Sequence, residues 1–412
     1  MRKCVLFLLL CLSLLGLAAC GGNGESASAE EAPELLAAVP SDALSVGLFS
    51  RLDKGLDRML DSTSVLLRPD YGRLARAKAV VALCDIGSLS PLVIVEAGKH
   101  GADTLDAVLS VMHQAEELGL NAEQVELPSH NALLVSASPT VLAVVRRHLA
   151  SESSILDAPH FSAVLGALGG QDAIVYRNSG ASKVFDIKFE PYQRREVTAF
   201  LKDACEWTVL SGEKIRTVQP QSEKYYCNFM ESLSDGSSKL SGAFPSGAGV
   251  VLDFPIASLP DWRRSYETWL DARVELESYN KRIQNLSRKT GKNPLNWEKE
   301  LGIKEVAVVA APGFKVNMIR VPKAKSSGSV PQVNPYTGFV AALYGDVFNA
   351  ADSCMVYRGE WLLTGERDVI DTLSLGQEKA SAWPAKARVA VYSGGKCLSW
   401  TNESIKVWDS NR

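Results

Sequence analysis

Apolar residues recur along the chain with two periods, and the switch between them marks out elements. Residues 43–49 (ALSVGLF) read as a strand. The following RLDKGLDRMLD places Leu52, Leu56, Met59 and Leu60 on one helical face. Residues 79–84 and 91–96 read as a strand pair across a Gly-Ser-Leu-Ser turn. Residues 102–119 predict a helix with Leu105, Val108, Leu109 and Met112 inward. A second hairpin is predicted from 124–127 and 132–136. Ser138 and Pro139 then open a helix whose Val141, Leu142, Val145 and Leu149 face a core. Residues 172–176 form one more strand.

The same order then recurs. Residues 249–254 (GVVLDF) are a strand, and the longest predicted helix runs from 261 to about 289. Its Trp269, Ala272, Leu276, Tyr279, Ile283 and Leu286 fall at alternating steps of three and four. This is a coiled-coil-like seam of about three heptads, with packing against the chain's own sheet as the simpler account. Residues 305–310 and 316–321 form a strand pair, 336–348 a shorter helix, 353–357 and 360–364 a hairpin, 367–373 a helix and 388–392 a strand. HNALLVSASPTVLAVV aligns with GEWLLTGERDVIDTL, and GGQDAIVYRNSG with AKARVAVYSGG. The expected fold class is therefore α+β: two related copies of a strand-helix-hairpin-helix-hairpin-helix unit with antiparallel sheets. The expected boundaries are 37–244 for the first copy and 245–412 for the second. TVLSGEKIRTV, KYYCNFM and SKLSGAF predict a strand-rich insert in the first copy, with no equivalent in the second. Residues 323–330 (KAKSSGSV) read as a flexible internal loop.

The amino terminus changes the picture. Arg2 and Lys3 precede an apolar run over 5–17, which Leu17-Ala18-Ala19-Cys20 closes. A basic start, a short apolar stretch and small residues before a cut are the grammar of a secretory signal. The run is too short to span a bilayer, which needs ~20 residues. With Cys20 after the cut, the stretch resembles the bacterial lipoprotein signal, in which that Cys is acylated and becomes the mature amino terminus. The resemblance implies a signal peptide over 1–19, lipid attachment at Cys20 and, with Gly21 next, a preference for the outer membrane. Residues 20–36, rich in Gly, Ser, Ala and Glu, read as a flexible tether. Removing 1–19 takes Arg2 and Lys3 away, leaving 42 basic against 47 acidic residues, a charge of about −5. Such mild acidity gives no reason to expect a nucleic-acid partner. The expected membrane contact is the lipid anchor at Cys20.

Candidate chemistry adds little. Ser211-Gly-Glu-Lys214, Ser278-Tyr-Asn280 and Lys289-Thr-Gly291 follow the order of motifs in the penicillin-recognising serine enzymes. However, Ser211 sits in a predicted hairpin turn, Ser278 lies mid-helix and Lys289 lies at a helix end. S-x-x-K also recurs at 278–281 and 393–396. The five His residues (His100, His113, His130, His148, His160) are 12 to 18 apart, so a zinc site has no local support and no metal or cofactor is expected. His148 is expected at the surface, and Trp262 and Trp269 in a core. Asp57 and Asp61 share a helical face among basic neighbours, the pattern of a solvated surface. Asp61-Ser-Thr, Asp103-Thr-Leu and Asp371-Thr-Leu resemble short O-glycosylation acceptor triplets. Cys84, Cys205, Cys227, Cys354 and Cys397 lie far apart in sequence; buried thiols are expected, with room for one disulfide.

Taken together, Leu17–Cys20, VPSDALSVGLF at 39–49, SPTVLAVVRRHL at 138–149 and NPYTGFVAALYGDVF at 334–348 followed by EWLLTG resemble uncharacterised envelope lipoproteins of Bacteroidetes-type bacteria. These carry a duplicated α+β domain of unknown function, and the resemblance covers about residues 37–400. It implies no catalytic residues. The leading expectation is a non-catalytic, lipid-anchored envelope protein that binds another envelope protein or a polymer. The alternative is a cell-wall or glycan hydrolase whose site assembles only in three dimensions.

Overall fold

The computed structural model describes residues 32–59, 69–98, 102–168, 172–180, 203–212, 214–311, 313–322, 330–376, 383–393 and 395–409. They form two compact units that meet in sequence at Pro220 and Gln221. The architecture is α+β, with 11 helices among the described residues and antiparallel pairing between strands. The first two expected acceptor triplets, the 323–329 loop and Cys20 involve residues or side chains outside those described.

The first unit runs through α1 (Ala32–Leu36), β1 (Ser45–Phe49), α2 (Leu52–Met59), β2 (Ala79–Asp85), β3 (Leu89–Glu96) and α3 (Ala102–Glu117). It continues through β4 (Asn121–Glu126), β5 (Asn131–Ser136), α4 (Pro139–Ala150), α5 (Phe161–Leu168), β6 (Ala173–Arg177), β7 (Trp207–Ser211) and β8 (Lys214–Val218). The strand order is β4-β5-β3-β2-β1-β6-β7-β8. Central β1 is buried at every position, which a strand paired on both edges shows only when both faces of the sheet are covered. Helices α1, α4 and α5 contribute Leu36, Val141, Leu142, Val145, Phe161 and Val164 to its core.

Several expectations are corrected here. Residues 32–36, expected as tether, form α1, because Leu35 and Leu36 are buried. His130 Nδ1 lies 3.2 Å from Glu34 Oε2 and holds this helix against the β4–β5 turn. Leu105 and Leu109, expected inward on α3, are 52% and 53% exposed; the inward positions are Val108, Val111 and Ala115. The helix is turned so that β-branched and small side chains, which allow close approach, meet the sheet. Ser138 stands at the N-cap of α4, yet its side chain makes no capping bond.

The second unit opens with α6 (Tyr226–Glu231), β9 (Gly236–Ser237), β10 (Val250–Pro255), α7 (Leu259–Ala272), α8 (Leu276–Thr290) and α9 (Pro294–Leu301). Next come β11 (Glu305–Ala311), β12 (Phe314–Arg320), β13 (Gln332–Val333), α10 (Phe339–Tyr344), β14 (Cys354–Arg358), β15 (Trp361–Gly365) and α11 (Arg367–Thr372). The last elements are β16 (Lys386–Ala387), β17 (Val389–Ser393), β18 (Lys396–Trp400) and β19 (Ile405–Asp409). The strand order is β13-β14-β15-β12-β11-β10-β17-β18-β19, while β9 pairs with β16 apart from it.

Three corrections fall in this unit. Residues 221–244, placed in the first copy from the sequence, belong to the second unit. KYYCNFM contributes helix α6, and SKLSGAF a short 3-10 turn at Leu240–Gly242, where strands were expected. Strands β18 and β19 follow β17, although the second copy was expected to lack such a pair.

The long predicted helix is also two helices. Val274 takes φ +60° and breaks it, and the N–H of Glu275 donates to Leu270 O at 2.8 Å. Arg263 then donates to Tyr279 Oη at 2.9 Å. In one straight helix those residues would stand ~24 Å apart, so the seam folds back on itself. Phe229, Trp262, Tyr266, Trp269 and Tyr344 pack as an aromatic cluster beside it. Trp262 and Trp269 are thus core residues, as expected.

Candidate functional site

The second unit holds a shallow cavity, widely open to solvent, of about 580 Å³. Its walls are the stretch from Lys239 to Ala243, the β14–β15 turn (Arg358, Gly359, Glu360, Trp361) and the loop at Ser374 and Leu375. The turn needs Gly359, whose φ is +61°.

Each wall is fixed from behind. Arg358 donates to Ile370 O at 2.7 Å and to Asp371 O at 3.0 Å, and also to Leu373 O. It thereby satisfies the carbonyls that a helix end leaves open and places a cation at the negative end of α11. The opposite wall is held by a buried polar cluster. Both oxygens of Glu305 accept from the Lys239 N–H, at 3.2 and 3.0 Å. Glu305 Oε2 also accepts from Arg320 Nε at 2.6 Å, and Arg320 donates to Ser237 O at 2.8 Å.

Ser238 fixes the protonation of this cluster. Its Oγ lies 2.8 Å from Asp253 Oδ2 and 2.8 Å from Glu305 Oε1, and it accepts from the Leu240 N–H at 3.2 Å. A hydroxyl has one proton to donate, so one of the two carboxyls must itself be protonated and donate back. Burial, reinforced by Glu305, pushes Asp253 well above the usual carboxylate range. Asp253 is therefore the neutral acid, with Oδ2 also accepting from Trp383 Nε1 at 3.2 Å. Its Oδ1 has no partner, which a neutral carbonyl oxygen tolerates better than a charged one. Glu305 Oε2 faces the Arg320 guanidinium.

Asp253 and Glu305 are both fully buried, so neither lines the cavity; Glu360 is the carboxylate that does. The sequence reading missed Lys239, Arg358 and Glu360. The available signal was the ionisable Asp253 inside the apolar run GVVLDF, a position where such a group needs a reason.

The other candidates do not converge. Ser211 and Lys214 flank the β7–β8 turn in the first unit, whereas Ser278 and Asn280 lie within α8 and Lys289 in its last turn. His113 lies 3.5 Å from Glu117, His148 3.2 Å from Ser153 Oγ and His160 2.6 Å from Glu206. His148 is half-buried rather than fully at the surface. Among the described residues no group of three His, Cys, Asp or Glu is placed to hold a metal. Asp371 lies in α11, and the Thr372 hydroxyl donates to Asp368 O at 2.8 Å. Cys84, Cys205, Cys227, Cys354 and Cys397 are buried thiols without a disulfide. Burial pushes the Cys84 thiol up to about 12 and Cys397 to about 11. Among the described residues no helix is long and apolar enough to cross a membrane.

In comparison with known proteins, the chain matches no family model, no curated protein and no solved structure.

Proposed function

We propose that the chain is a lipid-anchored bacterial envelope protein that binds another envelope protein or polymer without transforming it. The anchor rests on Leu17-Ala18-Ala19-Cys20, and Gly21 favours the outer membrane. The observation that carries the binding role is the second-unit cavity: its walls are braced by buried hydrogen bonds, and its lining contains one carboxylate, Glu360. General acid–base hydrolysis of a glycan needs two carboxyls flanking the bond, and the two that stand close, Asp253 and Glu305, are out of reach. Cys20→Ala should abolish labelling by radioactive palmitate and release the protein from membranes; persistent labelling would refute the anchor.

The proposal includes an internal duplication. Strand order supports it, since β4, β5, β3, β2, β1, β6, β7 and β8 have counterparts in β14, β15, β12, β11, β10, β17, β18 and β19. Tyr176 faces Ser45 and Tyr392 faces Val251. Aligning these tyrosines sets Gly47 against Asp253 and Ala79 against Glu305. The first unit thus makes the same sheet without the buried acids. Buried charge costs several kcal/mol before its partners repay it, so the acids serve something other than the shared fold. Glu305 braces the cavity wall at Lys239, and Asp253 joins it through Ser238.

A further inference from the structure

We infer that the second-unit cavity takes a peptide segment carrying an acidic and a basic side chain close together; this rests on the reading of that cavity as the binding site. The lining offers two exposed charged side chains, Lys239 and Glu360. Lys239 is exposed, with its backbone N–H, not its side chain, held by Glu305. Glu360 is exposed and only 4.0 Å from the Arg320 guanidinium, whose shorter bond goes to Glu305. Arg358, by contrast, is committed to the carbonyls of α11. A ligand therefore meets one exposed ammonium and one exposed carboxylate that only shares Arg320 with Glu305, and charge complementarity asks for the opposite pair.

The remaining lining separates a peptide from a sugar chain. Ala243, Leu375 and Trp361 supply apolar surface. Saccharides stack on open aromatic faces, but Trp361 is only 6% exposed and belongs to the core of the unit. The cavity volume of about 580 Å³ accepts a few residues of polypeptide. The walls are held by hydrogen bonds before binding, which lowers the ordering cost of capturing a short segment.

The test uses the detergent-solubilised mature chain and calorimetric titration with Ac-Lys-Ala-Glu-NH2 and Ac-Glu-Ala-Lys-NH2. One order should bind with a Kd below about 1 mM, and Lys239→Met or Glu360→Gln should each weaken it about tenfold. Replacing the peptide's Glu by Gln should cost about tenfold in the parent protein and nothing further in Lys239→Met, which ties that charge to that lysine. Circular dichroism confirms that the variants fold. No peptide binding at 5 mM (a chosen ceiling), or binding indifferent to both variants, overturns the inference. Binding of a chitin or glucuronate oligomer that Lys239→Met removes, with the peptides silent, overturns the peptide class but keeps the cavity as the site. If no probe responds to either variant, the cavity reading falls with it, while the Cys20 labelling result stands separately.

Discussion

At the residue scale, two positions carry an unusual free energy. Val274 is 90% exposed and holds φ +60°, a conformation that costs a β-branched residue ~1–2 kcal/mol. Val274→Gly and Val274→Asn should each stabilise the second unit by about 1 kcal/mol in urea titration; a loss of stability would mean that the side chain makes a contact worth more than the strain. The second position is Asp253. Its folded-state affinity for a proton is raised, so its contribution to stability is fully present below the unfolded carboxylate range. That contribution is lost as pH rises from there through the raised folded value. Asp253→Asn keeps the shape and the neutral state. It should raise stability at pH 7 and flatten the decline with pH, as measured by denaturation at several pH values. Glu305→Gln does the opposite, because it leaves Arg320 buried beside a neutral group, and should cost about 3–5 kcal/mol.

At the element scale, α3 shows what periodicity can and cannot decide. The helix was legible in residues 102–119, but two apolar stripes were available and the sequence does not say which meets the sheet. Leu105 and Leu109 lie outside and Val108, Val111 and Ala115 inside. Leu109→Gln should therefore change stability by no more than ~0.5 kcal/mol. Val108→Asp, which buries an unpaired carboxyl, should cost several kcal/mol. Thermal unfolding of the pair reads the phase of the helix directly, and equal losses would place the stripe as the sequence suggested. The α7–α8 break was hidden for a related reason. A regular seam continues across 269–286, and no Gly or Pro marks the turn. The strain at Val274 is borne by what the fold-back makes, including the Arg263–Tyr279 bond and a Tyr266–Tyr279 ring contact at 5.9 Å.

At the scale of the whole molecule, the five thiols of the described residues, Cys84, Cys205, Cys227, Cys354 and Cys397, are buried, two in the first unit and three in the second. Thiol reagents at pH 8 should find almost none of these five before denaturation and all five after it; fewer after denaturation without reductant would reveal a disulfide. What the sequence determined by itself was the local grammar: most strands, the α+β class and the recurrence of Tyr176 and Tyr392 at the same point of a strand. These depend on neighbours a few residues apart, where side-chain period and turn chemistry act. The tertiary structure alone decided the face of α3, the turn at Val274, the addition of residues 221–244 to the second unit and the joining of Lys239 to Glu305. Each depends on contacts between segments distant in sequence, whose free energy is set by burial and by hydrogen bonds that exist only after the chain has folded. The cavity belongs to that second class, because Lys239 and Glu360 come to line one site only after the chain has folded and Glu305 holds the wall at Lys239.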